Sequence, residues 1–314
     1  MRALVTGATG FVGGRLAARL RERGDEVVAL VRDPARAGPL RDLECTVVEG
    51  DLSSRAELAS AMDGCDAVFH VAAIYRNGVP RSKRDELYAA NVTGTENVLD
   101  AAVDAGVARI VYVSSNVAFG DTNGEVVDEA YEPPDGRYVS LYHETKALAH
   151  RAARERIARG APVVIVQPGG IYGRGDHTQL GGFLERGVRG KRVILPFGSV
   201  GLNWVFVDDV VEGILFAHDR GRVGESYVLG GEIATLRVAV ERAFAAGGHP
   251  VRIVPVPTWG VRLATPLGPL LGLSVSDLVS ASDGVTYWGR DDKARRELGY
   301  TPRDLVSGLR EAFV

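Results

Sequence analysis

Near its start the chain reads Thr6-Gly7-Ala8-Thr9-Gly10-Phe11-Val12-Gly13, with a glycine at every third position. This stretch joins an apolar run, Ala3–Val5, to an amphipathic segment, Phe11–Arg23. A glycine-rich turn between a strand and a helix lets the backbone approach phosphates closely. The helix N-terminus adds unpaired N–H groups and partial positive charge. We therefore predict that the turn binds a dinucleotide diphosphate; the alternative is a tight turn without a ligand.

The first half of the chain alternates apolar runs with amphipathic segments. The apolar runs predict strands at Ala3–Val5, Val27–Val31, Thr46–Val48, Ala67–His70, Ile110–Val113 and Val163–Val166. The amphipathic segments predict helices at Phe11–Arg23, Ser54–Met62, Leu87–Ala105 and Ser140–Arg159. Regular alternation implies parallel strands with helical crossovers, and continuous apolar strands imply that both sheet faces are covered. The predicted fold class is α/β, a Rossmann-type doubly wound parallel sheet.

The alternation breaks after Pro168. We predict an NAD(P)-binding domain at residues 1–168 and a smaller substrate-binding lobe at 169–314, with residues 203–230 returning to the first domain. Strand-like runs are Val193–Phe197 and Trp204–Val207. The apolar segment Thr258–Ser280 fits either a packed helix with loops or a lid over the substrate.

Composition narrows the class of partner. Of the 314 residues, 46% are hydrophobic, which is enough for a large core. The net charge is −3, and the basic residues do not cluster into a stripe that could bind nucleic acid. We therefore expect a small-molecule substrate rather than nucleic acid. No apolar run approaches the ~20 residues that span a bilayer, so no membrane partner is expected. Cys45 and Cys65 fit no disulfide framework or zinc motif. We expect reduced thiols, a cytoplasmic protein and no metal site.

Tyr142 and Lys146 lie four residues apart in the predicted helix Ser140–Arg159, so one helix face carries both side chains. An unperturbed tyrosine has a pKa of about 10. A nearby ammonium stabilises the phenolate, so we expect Lys146 to lower the pKa of Tyr142. The tyrosine can then give a proton to a carbonyl or take one from an alcohol. The lysine can also bind a nicotinamide ribose, although the spacing alone fits an ordinary surface pair.

Two other strand ends carry candidate residues. Ser115 follows the strand Ile110–Val113, where its hydroxyl can hold a substrate oxygen beside Tyr142; capping the strand end is the alternative. Arg32 and Asp33 follow the strand Val27–Val31. A guanidinium suits a ribose 2′-phosphate, whereas a carboxylate suits a 2′-hydroxyl. We predict NADP as the preferred cofactor, with NAD as the alternative.

A series of motifs follows in order along nearly the whole chain: Thr6–Gly13, Gly50–Leu52, His70–Ala73, Asn91–Thr95, Ser114–Ser115, Tyr142 with Lys146, Pro168–Gly173 and Val207–Val210. In this series the chain resembles an extended short-chain dehydrogenase/reductase, a member of the NAD-dependent epimerase/dehydratase superfamily. The series is specific to the family and not to a substrate.

The resemblance implies roles for matching positions. Ser115, Tyr142 and Lys146 would form the catalytic triad, and Asn91 would be either structural or on the cofactor side. The glycine turn, Arg32 and the positions implied by the resemblance give the full set of residues expected to contact the cofactor: Gly7, Thr9, Gly10, Phe11, Val12, Gly13, Arg32, Asp51, Leu52, Ala72, Ala73, Tyr142, Lys146, Pro168 and Ile171. Of these, Asp51 and Leu52 would meet the adenine, and Pro168 and Ile171 the nicotinamide.

Departures from the family pattern bear on the substrate. Asn116 and Val117 stand where sugar 4,6-dehydratases of this family carry an Asp-Glu pair, which argues against dehydration. The Gln and Arg that nucleotide-sugar members carry are missing from Phe197–Trp204, although Arg174 or Arg189 could replace the cation. A buried diphosphate without a cation is poorly compensated.

These departures favour the branch that resembles dihydroflavonol reductases, aldehyde/ketone reductases and 3β-hydroxysteroid dehydrogenases; hopanoid-associated sugar epimerases also look similar. We predict an oxidoreductase that moves a hydride between a nicotinamide cofactor and a carbonyl or secondary alcohol of a hydrophobic small molecule. The alternative is a nucleotide-sugar 4-epimerase with tightly bound NAD, and a remoter one is a non-catalytic NADP sensor. The resemblance also suggests a homodimer through the helices near Leu99 and Tyr142.

We interpret four further polar residues as structural or non-catalytic. We expect His70, at a strand end, to be a hydrogen-bonded structural histidine. His143 points away from Tyr142 around the helix, so we expect it to be non-catalytic. Asp208 and Asp209 are expected to cap a helix from Val210 onward.

Overall fold

The computed structural model describes residues 1–134, 136–263, 265–268 and 272–314. Within these residues the strands are β1 (Arg2–Thr6), β2 (Glu26–Val31), β3 (Thr46–Glu49), β4 (Ala67–His70), β5 (Arg109–Val113), β6 (Val163–Pro168), β7 (Gly170–Tyr172), β8 (Val193–Pro196), β9 (Gly201–Phe206), β10 (Ser226–Leu229), β11 (Glu232–Thr235) and β12 (Ile253–Val256). The α-helices are α1 (Phe11–Glu22), α2 (Gly38–Asp42), α3 (Arg55–Ala61), α4 (Arg84–Tyr88), α5 (Gly94–Asp104), α6 (Leu141–Ala158), α7 (Gln179–Val188), α8 (Val207–Arg220), α9 (Leu236–Ala246), α10 (Thr258–Leu263), α11 (Val275–Ser282), α12 (Asp292–Leu298) and α13 (Leu305–Phe313).

Seven parallel strands form the main sheet in the order β10-β6-β5-β4-β1-β2-β3. The strand order reverses between β1 and β4, because the chain crosses from one side of β1 to the other. In open sheets of this kind ligands bind in the crevice at such a reversal, beyond the carboxyl ends of the strands. The Rossmann-type α/β class predicted from the sequence is confirmed.

Both faces of this sheet are covered. Ala3 and Val5 of β1 face the core beneath α1 and α8, whereas Leu4 faces the core beneath α3, α5 and α6. This alternation explains the continuous apolar strands: with helices on both sides, odd and even positions are both buried.

The second half of the chain forms two small sheets of its own and also adds a strand and a helix to the main sheet layer. A three-stranded sheet, β11-β9-β7, packs with α7, α9 and α13 around Trp204, Phe206 and Phe244. A two-stranded sheet pairs β12 with β8. In contrast, β10 joins the main sheet beside β6, and α8 packs against α1. The division at residue 168 stays a prediction.

The structure corrects the predicted start of the helix that follows β9. Helix α8 begins at Val207, and its N-cap is Phe206, so Asp208 and Asp209 lie in the first turn rather than capping a helix at Val210. Asp209 instead accepts hydrogen bonds from Arg303, at 2.8 Å from the backbone nitrogen and 2.7 Å from Nη1. The capping prediction is wrong because the helix begins before these residues and because the partner of Asp209 lies 94 residues away along the chain.

The segment 258–280 contains α10, the start of α11 and a 3₁₀ turn; residues 264 and 269–271 lie outside the described residues. Trp259 and Leu263 on α10 are 68% and 72% exposed, so this helix is not simply packed into the core. Within the described ranges, none of the helices combines the length and apolar character that a bilayer crossing requires.

Candidate active site

The glycine turn is too tight for side chains. Gly7 has φ +73°, and a Cβ there would lie 2.8 Å from the backbone nitrogen of Ala72. A Cβ on Gly13 would lie 2.2 Å from the Gly7 carbonyl oxygen. The N-cap residue of α1, Gly10, has no side chain to satisfy the first N–H groups of the helix. The turn therefore offers free donors at a helix N-terminus, which is a site that suits a diphosphate.

We expect Gly13→Ala to prevent dinucleotide binding and to lower the free energy of unfolding by about 2 kcal/mol or more, as overpacking does. The added methyl would collide with a backbone carbonyl that cannot move without reshaping the turn. Gly182→Ala on α7 is the matched control, because its Cβ would meet nothing within 4 Å. Cofactor titration and urea unfolding would measure both effects; tight binding by Gly13→Ala would contradict the assignment.

A buried network fixes the turn against β4. His70 Nδ1 lies 2.8 Å from Thr6 Oγ1, and its Nε2 lies 3.0 Å from Thr95 Oγ1. The backbone nitrogen of Ala72 also donates to Thr6 Oγ1, at 3.2 Å. Burial, with a smaller effect of the Lys146 charge, lowers the pKa of His70 to about 3. His70 is therefore a neutral structural residue, as the sequence predicted.

The predicted cofactor residues collect along one edge of the main sheet. The glycine turn follows β1, Arg32 follows β2, Asp51 and Leu52 follow β3, and Ser115 follows β5. Ala72 and Ala73 come just after β4, Pro168 ends β6, and Ile171 lies in β7, which pairs with β9 rather than with the main sheet. The structure thus brings the positions that follow or end β1 to β6 to the carboxyl edge of the main sheet.

Helix α6 carries Tyr142 and Lys146, and it is capped by Ser140, whose hydroxyl accepts a hydrogen bond of 3.0 Å from the His143 nitrogen. Both functional side chains are buried, with exposed fractions of 6% and 3%. The ammonium of Lys146 has only a long contact to the Val113 carbonyl oxygen, at 3.4 Å, and lies 5.6 Å from the centre of the Tyr112 ring. Within the described residues no carboxylate pairs with it. This buried cation is therefore available to a ligand.

The electrostatics differ from the sequence expectation. Burial, followed by the neighbouring phenols of Tyr75, Tyr112 and Tyr287, raises the pKa of Tyr142. Burial also lowers the pKa of Lys146 to about 8. The expectation that the ammonium lowers the pKa of the phenol is therefore wrong for the protein alone, because desolvation penalises both charged forms. At neutral pH Tyr142 is a protonated hydroxyl.

Ser115 is placed to serve two purposes. Its hydroxyl oxygen caps the 3₁₀ turn Asn116–Phe119 by accepting from the Val117 nitrogen at 3.2 Å. Among the described residues nothing accepts the proton of this hydroxyl, so Ser115 can donate it to another oxygen. Its neighbour Ser114 faces the other way and lies 3.0 Å from His150 Nδ1. The capping role is thus present and does not exclude the catalytic one.

From the sequence, the role of Asn91 stayed open and no role was expected for Tyr75. Asn91 lies in a π-helical turn, Ala89–Thr93, and its amide bonds both backbone groups of Ile74 as well as Thr145 Oγ1 on α6. Tyr75 is 47% exposed, and its ring meets the ring of Tyr142 edge-on with centroids 5.1 Å apart. The signal available in the sequence was an aromatic residue soon after the strand Ala67–His70. Among the described residues, no group of three or more His, Cys, Asp or Glu could hold a metal ion.

Comparison with known proteins places this site in a family. Residues 3–230 match the model of the NAD dependent epimerase/dehydratase family. The chain belongs to this family of enzymes. It is 33% identical to a Synechocystis protein provisionally named dihydroflavonol 4-reductase, over 98% of this chain and 92% of that one.

Two further relatives of this chain are named for different reactions. The chain is 34% identical to the 4-hydroxy-2-methyl-3-oxo-4-farnesyl-3,4-dihydroquinoline-1-oxide ketoreductase of Stigmatella aurantiaca, over 96% of this chain and 92% of that one. A double mutant of the dTDP-glucose 4,6-dehydratase DesIV from Streptomyces venezuelae, solved with NAD, superposes with a TM-score of 0.79 at 28% identity, covering 100% of this chain and 96% of that one. The resemblance identified in the sequence is confirmed, and the relatives include reductases as well as enzymes of nucleotide sugars.

Proposed function

We propose that the protein is an NADP-preferring oxidoreductase that interconverts a carbonyl and a secondary alcohol in a hydrophobic small molecule. The observation that carries the proposal is the buried pair on α6, in which Tyr142 is a protonated phenol and Lys146 is a cation with no carboxylate partner among the described residues. Leaving a charge buried and unpaired is costly, so such a residue is expected to serve a ligand.

The residues divide the chemistry in a simple way. The Tyr142 hydroxyl donates a proton to the substrate oxygen, and its raised pKa keeps that proton available at neutral pH. The Ser115 hydroxyl donates a second hydrogen bond to the same oxygen. Lys146 holds the nicotinamide ribose and stabilises the phenolate that forms. A bound nicotinamide supplies or accepts the hydride.

A hydrophobic substrate is supported by the walls of the site. Tyr75 presents a half-exposed aromatic ring beside Tyr142, and Val79 packs in one apolar cluster with Tyr142. The segment 197–204, where nucleotide-sugar enzymes carry a cation, contains no Lys or Arg in this chain. The farnesyl-bearing ketone in the name of the Stigmatella relative is also a hydrophobic carbonyl compound.

The NADP preference is supported by the end of β2. Arg32 is exposed, and within the described residues it forms no ion pair, whereas Asp33 accepts a hydrogen bond from the Ala35 nitrogen at 3.0 Å and caps its own turn. We expect Arg32→Glu to weaken NADPH binding by about tenfold or more while sparing NADH, since charge-assisted bonds to phosphate are strong. Arg36→Glu is the matched control. Equal loss for both cofactors would contradict the preference.

Turnover decides between reductase and 4-epimerase. The test is NADPH oxidation by the purified protein against aromatic, steroidal and aliphatic carbonyls, with sugar nucleotides assayed for epimerisation. We expect net NADPH consumption that Tyr142→Phe abolishes. Tightly bound NAD with interconversion of sugar nucleotides, and no net NADPH consumption, would replace this proposal with the epimerase. Cofactor binding without any Tyr142-dependent turnover would indicate the sensor.

A further inference from the structure

A short segment after β4 covers the catalytic phenol. Residues 74–79, here called the roof segment, carry Tyr75, whose ring meets that of Tyr142 at 89°. Val79 is 2% exposed and packs in one apolar cluster with Tyr142 and Leu87. Because the Tyr142 ring rests against two side chains of this segment, the position of the roof segment constrains the position of the phenol.

One end of the roof segment is held within the nucleotide-binding half of the protein. Asn91 Oδ1 accepts from the Ile74 nitrogen at 2.7 Å, and Asn91 Nδ2 donates to the Ile74 carbonyl oxygen at 3.1 Å. The same amide donates to Thr145 Oγ1 on α6, also at 3.1 Å. This anchor joins the start of the roof segment to the catalytic helix.

The other end is held from far along the chain by Asp277 of α11. Its Oδ2 accepts from the backbone nitrogens of Gly78 and Val79, at 3.0 and 3.2 Å. Its Oδ1 accepts from the backbone nitrogen of Leu141 at 2.9 Å. The Ser274 nitrogen also donates to the Gly78 carbonyl oxygen, at 2.8 Å. A single carboxylate therefore joins α11, the roof segment and the first residue of α6.

The contact at Leu141 has a specific physical value. The first N–H groups of a helix lack partners within the helix, and a negative charge beside them is favourable. Leu141 begins α6 and directly precedes Tyr142. In the part of the chain that the structure describes, no Lys or Arg pairs with Asp277, so its charge is compensated by three backbone N–H groups. Bonds of this kind are stronger than neutral ones.

We propose that Asp277 is a positioning residue for the reaction: it locks the roof segment and the start of α6 together from the second half of the chain, and so holds Tyr142 in its productive position. The inference rests on the proposed function for its kinetic consequence and not for the contacts themselves. Asp277 touches no reacting atom, yet through these contacts it affects where the proton donor Tyr142 lies.

The test is Asp277→Asn, with Asp283→Asn as the matched control at the end of the same helix. Asparagine offers one oxygen acceptor where aspartate offers two, so it cannot accept from both Leu141 and the roof segment. Asp283 instead accepts from Thr258 Oγ1 at 2.8 Å, away from Tyr142. We expect Asp277→Asn to lower kcat about tenfold or more, with the Kd for NADPH within about twofold of the parent. Asp283→Asn should leave kcat unchanged.

Hydrogen exchange gives a readout that does not depend on activity. Amides of residues 78, 79 and 141 should exchange faster in Asp277→Asn than in the parent or in Asp283→Asn. Asp277→Glu keeps both oxygens and should recover part of kcat; it also replaces Asp277→Asn if that variant does not fold. Unchanged exchange, kcat within twofold, or no recovery by Asp277→Glu would overturn the proposal. If the parent enzyme itself shows no Tyr142-dependent turnover, the proposed function fails. Hydrogen exchange then tests by itself whether Asp277 holds the roof segment and the start of α6 together.

Discussion

Tyr142→Phe should lower kcat by about 10²–10⁴-fold while leaving NADPH binding nearly unchanged, because it removes one proton donor and little else. The ring would stay in place, since its packing against Tyr75, Val79 and Leu87 does not depend on the hydroxyl. Steady-state kinetics with the best carbonyl substrate and a cofactor titration would measure the two quantities.

The loss should persist across pH for Tyr142→Phe, whereas the parent enzyme should keep its reductase activity through neutral pH. The raised pKa of Tyr142 keeps its proton in place over this range. Tyr88→Phe on α4 is the control, because that side chain is 38% exposed. Retention of even half of kcat by Tyr142→Phe would remove this residue from the mechanism and would contradict both enzyme hypotheses.

Lys146→Met should have opposite effects on activity and stability. Activity should fall about 100-fold or more, because the cation that holds the ribose and stabilises the phenolate is lost. Stability at pH 7 should rise, since burial lowers the pKa of Lys146 from 10.5 to about 8. Such a shift corresponds to at most about 3 kcal/mol of destabilisation by the charged side chain. Methionine of similar shape would avoid that cost.

The pH dependence gives this prediction its sign. The folded-state pKa of Lys146 lies below its unfolded value, so between pH 8 and 10.5 the unfolded chain binds more protons than the folded one. The cost of the buried charge is thus complete below about pH 8 and disappears as the pH rises toward 10.5. The advantage of Lys146→Met should shrink accordingly.

Urea unfolding of the parent, Lys146→Met and Lys191→Met at pH 7 and pH 10 would test both parts. Lys191 is exposed, so its replacement should change little. A Lys146→Met protein that is less stable than the parent at pH 7 would show that the ammonium is well compensated in the fold. Lys146 would then not be a cation that is left unpaired for a ligand.

The sequence contained enough local information to predict most of the nucleotide-binding half. Gly7 and Gly13 mark the turn because their constraint is steric and involves neighbours in the chain or the adjacent strand. Tyr142 and Lys146 share a helix face because four residues make about one helical turn. Apolar runs of three to five residues between amphipathic segments predicted the parallel sheet, since strands covered on both faces need no polar side.

Contacts between distant segments could not be read in the same way. Asp277 holds Gly78 and Leu141 from 199 and 136 residues away, and Asp209 holds Arg303 across 94 residues. The direction of the Tyr142 pKa was wrong because burial depends on every segment that packs around the phenol, whereas helix spacing identifies only one neighbour. Local patterns thus determined which chemical groups the protein carries and along which edge they lie. The tertiary structure alone decided how far those groups are desolvated and what holds them in place, because both depend on residues that meet only after folding.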